Sequence, residues 1–250
     1  MADQLEGRNP VLEALKANRI ILEIWMAGST KGKAINEIVA LARKKNIPIK
    51  EADKDTLNRM AQNRNHQGVV AKAEPYRYRD FDEVIDEAIR EKKNPLIVLL
   101  DGIEDPHNLG SIIRSAEVFG ASAVVIQKNR AVGVTPSVAR IASGALEHVP
   151  VVQVVNITET IKAMKNKDFW IAAGDGDSHQ VLYQQDLKGP VGLVIGSEGK
   201  GISRLVKENC VYLIRIPMAG KTGSLNAAVA AGILLYEVFS QNNRDKETTW

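Results

Sequence analysis

Short apolar runs punctuate the second part of the chain: LIVLL (96–100), AVVI (123–126), VVQVV (151–155), WIAA (170–173), VGLVI (191–195) and VYLIRI (211–216). Continuous apolar runs of this length fit strands buried on both faces of a parallel sheet. The segments between them carry helical spacing at about 108–119, 135–146, 157–166 and 201–208, with a last helix at about 224–240. That helix contains AAVAAGILLYEVF and is apolar nearly all round, so it should be buried or form a subunit interface.

Residues 1–73 alternate helix and strand on a smaller scale. Asn9, Pro10 and VLEALKAN read as an N-cap, a proline at the first helical position and an amphipathic helix. IILEIWMAG (20–28) reads as a strand, and residues 33–45 as a helix whose basic ARKK end suits the negative pole of its dipole. IPIKEA is a short strand, DKDTLNRMA a capped helix and HQGVVAKAE a closing strand. Residues 74–95 are densely charged and read as a linker that becomes a solvated helix and stops before Pro95. The division is therefore 1–73, a small α/β domain; 74–95, a linker; 96–243, a parallel-sheet α/β domain; and 244–250, a polar tail.

Composition narrows the class. With 44 % apolar and 25 % charged residues the chain is ordinary for a globular protein, not a disordered tail or a fibre. No window approaches the ~18 consecutive apolar residues of a spanning helix. The polar start MADQLEGRNP lacks the pattern of a signal peptide, and the single cysteine, Cys210, cannot pair within the chain. A cytoplasmic protein with no membrane partner is expected. Charge is uneven: residues 1–73 hold 13 Lys and Arg against 8 Asp and Glu, whereas 96–250 hold 15 of each. A basic front segment suits a polyanion or is simply a solvated lysine-rich face. Its only aromatic residue is Trp25, which favours reading of backbone and shape over stacking of splayed bases.

In open parallel sheets, ligands bind beyond the carboxyl ends of the strands. Three loops there hold candidate chemistry. DGIEDPHNLGSIIRSAEVFGA (101–121) starts a helix on which Asn108 stands at the cap region, with Arg114 on the polar side. GSEGKGIS (196–203) places three glycines and Glu198 between a strand and a helix. PMAGKTGSLNAAVAAG (217–232) carries Ser224 and Asn226 into the last helix. Taken alone, the first loop reads best as an ordinary capped helix; the glycine density of the second is harder to explain as a plain turn. Common fingerprints fail. A P-loop would need glycine where Arg215 stands, no GxGxxG follows an early strand, and His66, His107, His148, His179 and Cys210 lack metal-ligand spacing. No metal is expected, and an NTPase or nucleotide-dependent oxidoreductase is disfavoured.

Together PHNLGSIIRSA, VIGSEGKGI and IPMAGKTGSLNAAVAAG, in this order and spacing, resemble the three motifs of the SpoU/TrmH family of RNA ribose 2′-O-methyltransferases, of the SPOUT class. The resemblance covers about residues 95–240. The front segment is similar to that family's substrate-binding domain, itself like ribosomal proteins of the L7Ae/L30e type. The resemblance implies a C-terminal trefoil knot, a homodimer with the site at its interface, and S-adenosylmethionine held by the knotted loops. By motif position Gly196, Ile216 and Leu225 should contact this cofactor, with Met218 and the turn at Gly174 enclosing it. The catalytic set it implies is Asn108, Arg114, Glu198, Ser224 and Asn226.

The expected substrate is a guanosine of 23S rRNA, with tRNA the near alternative and a non-catalytic RNA-binding or ribosome-assembly protein the distant one. Arg114 is often cast as the base in this family, but guanidinium normally stays protonated. A clamp on the RNA phosphate that also polarises the hydroxyl fits better, with phosphate or water taking the proton.

Overall fold

The fold is that of a computed structural model, which describes residues 3–61 and 66–243. The tail 244–250 lies outside the described residues. The chain forms two compact units, one made of the residues up to Arg77 with Val134–His148, the other of Tyr78–Gly133 with the residues from Val149 onward.

The first unit has a four-stranded sheet, ordered β1 (Asp3–Glu6), β4 (Val69–Ala73), β2 (Ile21–Ala27) and β3 (Ile49–Ala52). β4 is antiparallel to β1 and β2, while β3 runs parallel to β2. Helices α1 (Arg8–Lys16), α2 (Lys33–Lys44) and α3 (Lys54–Met60) connect them. β1 escaped the sequence reading because DQLE has no apolar alternation; its partner β4 makes it a strand. Asn9 is not the cap of α1: the helix begins two residues earlier than expected, at Arg8 behind Gly7, whose φ of 103° turns the chain into it. Asp53 does cap α3, accepting from Thr56 N at 2.6 Å.

Residues 135–146 were expected to cross between strands of the large sheet. They form α6 (Pro136–Ala142) and a short 3-10 turn (Ala145–Glu147), and they complete the first unit. α6 buries Val138, Ala139 and Ala142. Its Arg140 stands 3.7 Å from Glu6, which is 2 % exposed. Glu147 lies 3.4 Å from Arg19, which also binds Asp3 at 2.8 Å. Periodicity reveals that a helix has a buried face but not which core receives it. Burial raises the Glu147 carboxyl above its ordinary value, with Arg19 opposing the shift. Its contribution to stability is therefore full in acid and is lost as pH rises through the raised folded value.

The second unit is a seven-stranded sheet, parallel at every pairing, ordered β7 (Val151–Val154), β6 (Ala123–Gln127), β5 (Leu96–Asp101), β10 (Val191–Gly196), β8 (Trp170–Gly174), β11 (Tyr212–Arg215) and β9 (Gln180–Val181). The six apolar runs are six of its strands. β9, only two residues long, is too short to leave a pattern. On one face α4 (Phe81–Glu91) and α7 (Ile157–Lys165) pack with Ile97, Leu99, Val125 and Ile171. α4 is thus not wholly solvated, since Val84, Ile85 and Ala88 are buried. α5 (Pro106–Val118) packs against α9 (Ala227–Asn243), and α8 (Arg204–Asn209) precedes β11. Asp105, not Asn108, caps α5, accepting from His107 N at 2.9 Å. Burial pushes the Cys210 thiol up to about 12, so it stays protonated and unreactive near neutrality. No helix among the described residues is long and apolar enough to cross a membrane.

Candidate active site

β10, β8 and β11 are neighbours and run the same way, so the loops leaving their carboxyl ends converge. Between them lies a cavity of about 370 Å³, a size usual for small-molecule sites. Gly174–Asp177 form one wall, Gly196–Gly201 a second, and Ile216, Met218 and residues 223–225 a third. Ile195, Ile214, Ala227, Ala230 and Leu234 make it apolar at the back.

One glycine is required by the backbone it touches, and a second marks a close approach of side chains. A Cβ on Gly196 would stand 2.3 Å from Gly201 C and 2.6 Å from Ile202 N, both backbone atoms. The turn that returns at Gly201, where Ser197 and Gly201 exchange N–H···O bonds at 3.1 and 2.9 Å, closes only because Gly196 has no side chain. A Cβ on Gly174 would meet Leu234 Cδ1 at 2.7 Å, so α9 lies directly against the end of β8.

Three of the expected polar residues meet at the start of α9. Asn226 Oδ1 accepts from Ala228 N at 3.0 Å and Val229 N at 3.2 Å, capping the helix. This fixes its amide orientation, and Nδ2 then donates to Asn108 Oδ1 at 2.9 Å and to Glu198 Oε1. Glu198 also accepts from Ala227 N at 3.3 Å, placing its charge at the positive end of the helix. Asn108 is 6 % exposed. One amide thus ties α5, the glycine-rich turn and α9 together. In Asn226→Asp the cap survives but a carboxylate faces Glu198. We expect a stability deficit of about 2 kcal/mol at neutral pH. Denaturation at a series of pH values checks this, because the deficit should shrink in acid as one carboxyl takes a proton.

Arg114, on α5, is exposed, and its side chain makes no hydrogen bond or ion pair among the described residues. Neither it nor Asn108 nor Asn226 lines the cavity; Gly174, Gly196, Glu198, Ile216, Met218, Ser224 and Leu225 do. Ser224 stands two residues before the helix cap and is exposed. Of the acidic residues in the first loop, Asp101 accepts from Ser203 N at 2.7 Å, and Asp105 is spent on its cap. The sequence reading missed Asp175 and Lys207, which line the cavity and pair at 2.8 Å. The glycine–aspartate alternation at 174–177 after the fourth apolar run was the available signal for Asp175. Nothing in the helix around Lys207 marks it.

The model of the SpoU rRNA Methylase family matches residues 95–236, and that for RNA 2′-O ribose methyltransferase substrate binding matches residues 4–79. The chain belongs to the SpoU rRNA methylase family. This family member is 45 % identical over 242 residues to YacO of Bacillus subtilis, whose name places it among TrmH family tRNA/rRNA methyltransferases; the match covers 96 % of each chain. It is 41 % identical over 237 residues to a like-named protein of Staphylococcus saprophyticus, covering 95 % of each. Among solved structures, the SpoU methyltransferase AviRb from Streptomyces viridochromogenes, determined in complex with AdoMet, superposes with a TM-score of 0.80 at 27 % identity. That superposition covers 95 % of this family member and 89 % of AviRb.

Proposed function

We propose that this family member, an RNA methyltransferase, moves the methyl group of S-adenosylmethionine to a ribose 2′-hydroxyl, and that its target is a guanosine of 23S rRNA. The observation that carries the reading is the junction of Asn108, Asn226 and Glu198 beside a glycine-walled cavity. The cavity fits the cofactor: an apolar back suits a planar base, glycine-edged main chain allows close approach, and Asp175 with Lys207 offers polar partners. Gly196, Ile216 and Leu225 would hold it, with Gly174 and Met218 enclosing it. When bound it supplies an electrophilic methyl carbon on a sulfonium.

The residues around it deal with the poor nucleophile. Asn226, fixed by its four hydrogen bonds, keeps Glu198 and Asn108 in register. Arg114, protonated and uncommitted, clamps an RNA phosphate and polarises the hydroxyl, whose proton leaves to phosphate or water. Ser224 donates or accepts at the rim. The first unit supplies RNA affinity through the surplus of Lys and Arg in residues 1–73. Val134–His148 completes that unit, so substitution of its lysines in the full chain tests this role better than truncation. The slope of RNA affinity with salt should flatten as they are removed.

Self-association fits the outer face of α9. Val229, Ile233 and Tyr236 are 52, 38 and 54 % exposed at helical spacing, and Tyr236 touches Phe119, which follows Val118, 63 % exposed. A homodimer covers this surface, and sedimentation equilibrium giving a monomer would contradict it. A threaded, knotted tail is supported by β11 lying between the earlier strands β8 and β9, and by Gln241 and Asn242 of α9 bonding back to Leu187 and Gly189. Pulling the chain by its ends should leave it shorter than full contour length. The substrate is decided by offering 23S rRNA and tRNA side by side: methylated guanosine ribose in the rRNA is expected, and modification of tRNA alone would shift the assignment.

A further inference from the structure

The Asp175–Lys207 pair stands apart from the other charges of the cavity. The Asp175 side chain is 12 % exposed and that of Lys207 30 %. Asp177, Glu198 and Lys200 are exposed at the rim, and Glu198 is already bound by Asn226 and Ala227. Asp175 is held firmly: its backbone N donates to Ile214 O at 2.8 Å, which ties the end of β8 to β11. Its Oδ2 faces Lys207 at 2.8 Å, and among the described residues its Oδ1 accepts only a long bond from Asp177 N, at 3.4 Å. A carboxylate offers about four acceptor sites and an ammonium three donors, so each partner retains capacity toward the cavity they both line.

We propose that Asp175, positioned by Lys207, reads the ribose 2′,3′-diol of an adenosyl ligand in this cavity, an inference that rests on the methyltransferase reading above. A vicinal diol carries two donors and two acceptors side by side. One hydroxyl donates to Asp175 while the other accepts from Lys207, and the ion pair stays intact. The ligand's amino-acid end is a poorer match. An ammonium bound to Asp175 would stand beside the Lys207 ammonium, and a carboxylate bound to Lys207 beside the Asp175 carboxylate, so the zwitterion brings like charges together where the neutral diol does not. A carboxylate beyond the end of a parallel strand is also a general solution for holding ribose hydroxyls in α/β sheets.

The test is calorimetric titration of the full chain with S-adenosylhomocysteine and its 2′-deoxy and 3′-deoxy analogues. Loss of a hydroxyl that donates to a charged acceptor should weaken binding about tenfold or more. In Asp175→Asn, which keeps the shape and the bond from Asp177, that penalty should fall to about twofold or less. A wild-type chain that binds all three ligands equally overturns the proposal without recourse to any variant. A variant that keeps the full deoxy penalty while losing affinity for S-adenosylhomocysteine overturns it too, and assigns the pair to the amino-acid end. A wild-type chain that binds no S-adenosylhomocysteine and no S-adenosylmethionine overturns the methyltransferase reading itself.

Discussion

Gly196→Ala should abolish cofactor binding and cost about 2–3 kcal/mol of stability. The added methyl cannot be absorbed by a rotamer change, because what it meets is the backbone of Gly201 and Ile202 at 2.3–2.6 Å. The turn carrying Glu198 must open, and with it go the wall of the cavity and the bond from Ala227 N to Glu198. Titration with S-adenosylmethionine should show affinity reduced at least about 100-fold, or roughly 2.7 kcal/mol. Gly192→Ala is the control. It sits in the same strand, but its Cβ meets Ile171 Cδ1 at 2.7 Å, Met164 Cε at 2.9 Å and Leu99 Cδ1 at 3.3 Å, the ends of flexible side chains. That variant should lose stability and keep its affinity. Equal affinity in both variants would show that the turn does not build the binding site.

Arg114→Lys should lower the methylation rate about 100-fold, since a planar fork that can hold phosphate bidentately is replaced by a point charge. Melting temperature and cofactor affinity should be unchanged, because Arg114 is exposed and unpartnered among the described residues and lies outside the cavity lining. The pH profile should also keep its shape, as a guanidinium acting as donor does not titrate in the working range. Near-normal rates in the lysine variant would mean that the fork is dispensable and that charge alone suffices. A rate that becomes steeply pH-dependent in the lysine variant would instead favour proton abstraction at this position.

Much of the architecture was legible because it rests on local pattern. Runs such as LIVLL and VGLVI are buried on both faces, and a parallel interior leaves few other roles for them. Strand order was not legible. That β8 lies between β10 and β11 is a long-range fact, and it is this order that brings Gly174, Gly196 and Ile216 to one cavity. α6 shows the same limit from another side: its apolar positions announce a buried face, yet only the partners of Arg140 and Glu147 reveal that the face belongs to the first unit. At the site, the glycines and Glu198 were visible as an unusual cluster. The role of Asn226 was half visible, as a cap, while its donation to both Asn108 and Glu198 depends on residues 118 and 28 positions away. Asp175 and Lys207 went unseen because an ion pair between a loop and a short helix leaves no periodic trace.

The most direct test of the central claim is to incubate the full chain with rRNA and S-adenosylmethionine labelled on its methyl group, digest the RNA to nucleosides and locate the label. Label on the ribose 2′-oxygen, absent with Gly196→Ala and strongly reduced with Arg114→Lys, is the expected result. Label on a base, or none in any RNA despite tight cofactor binding, would contradict it.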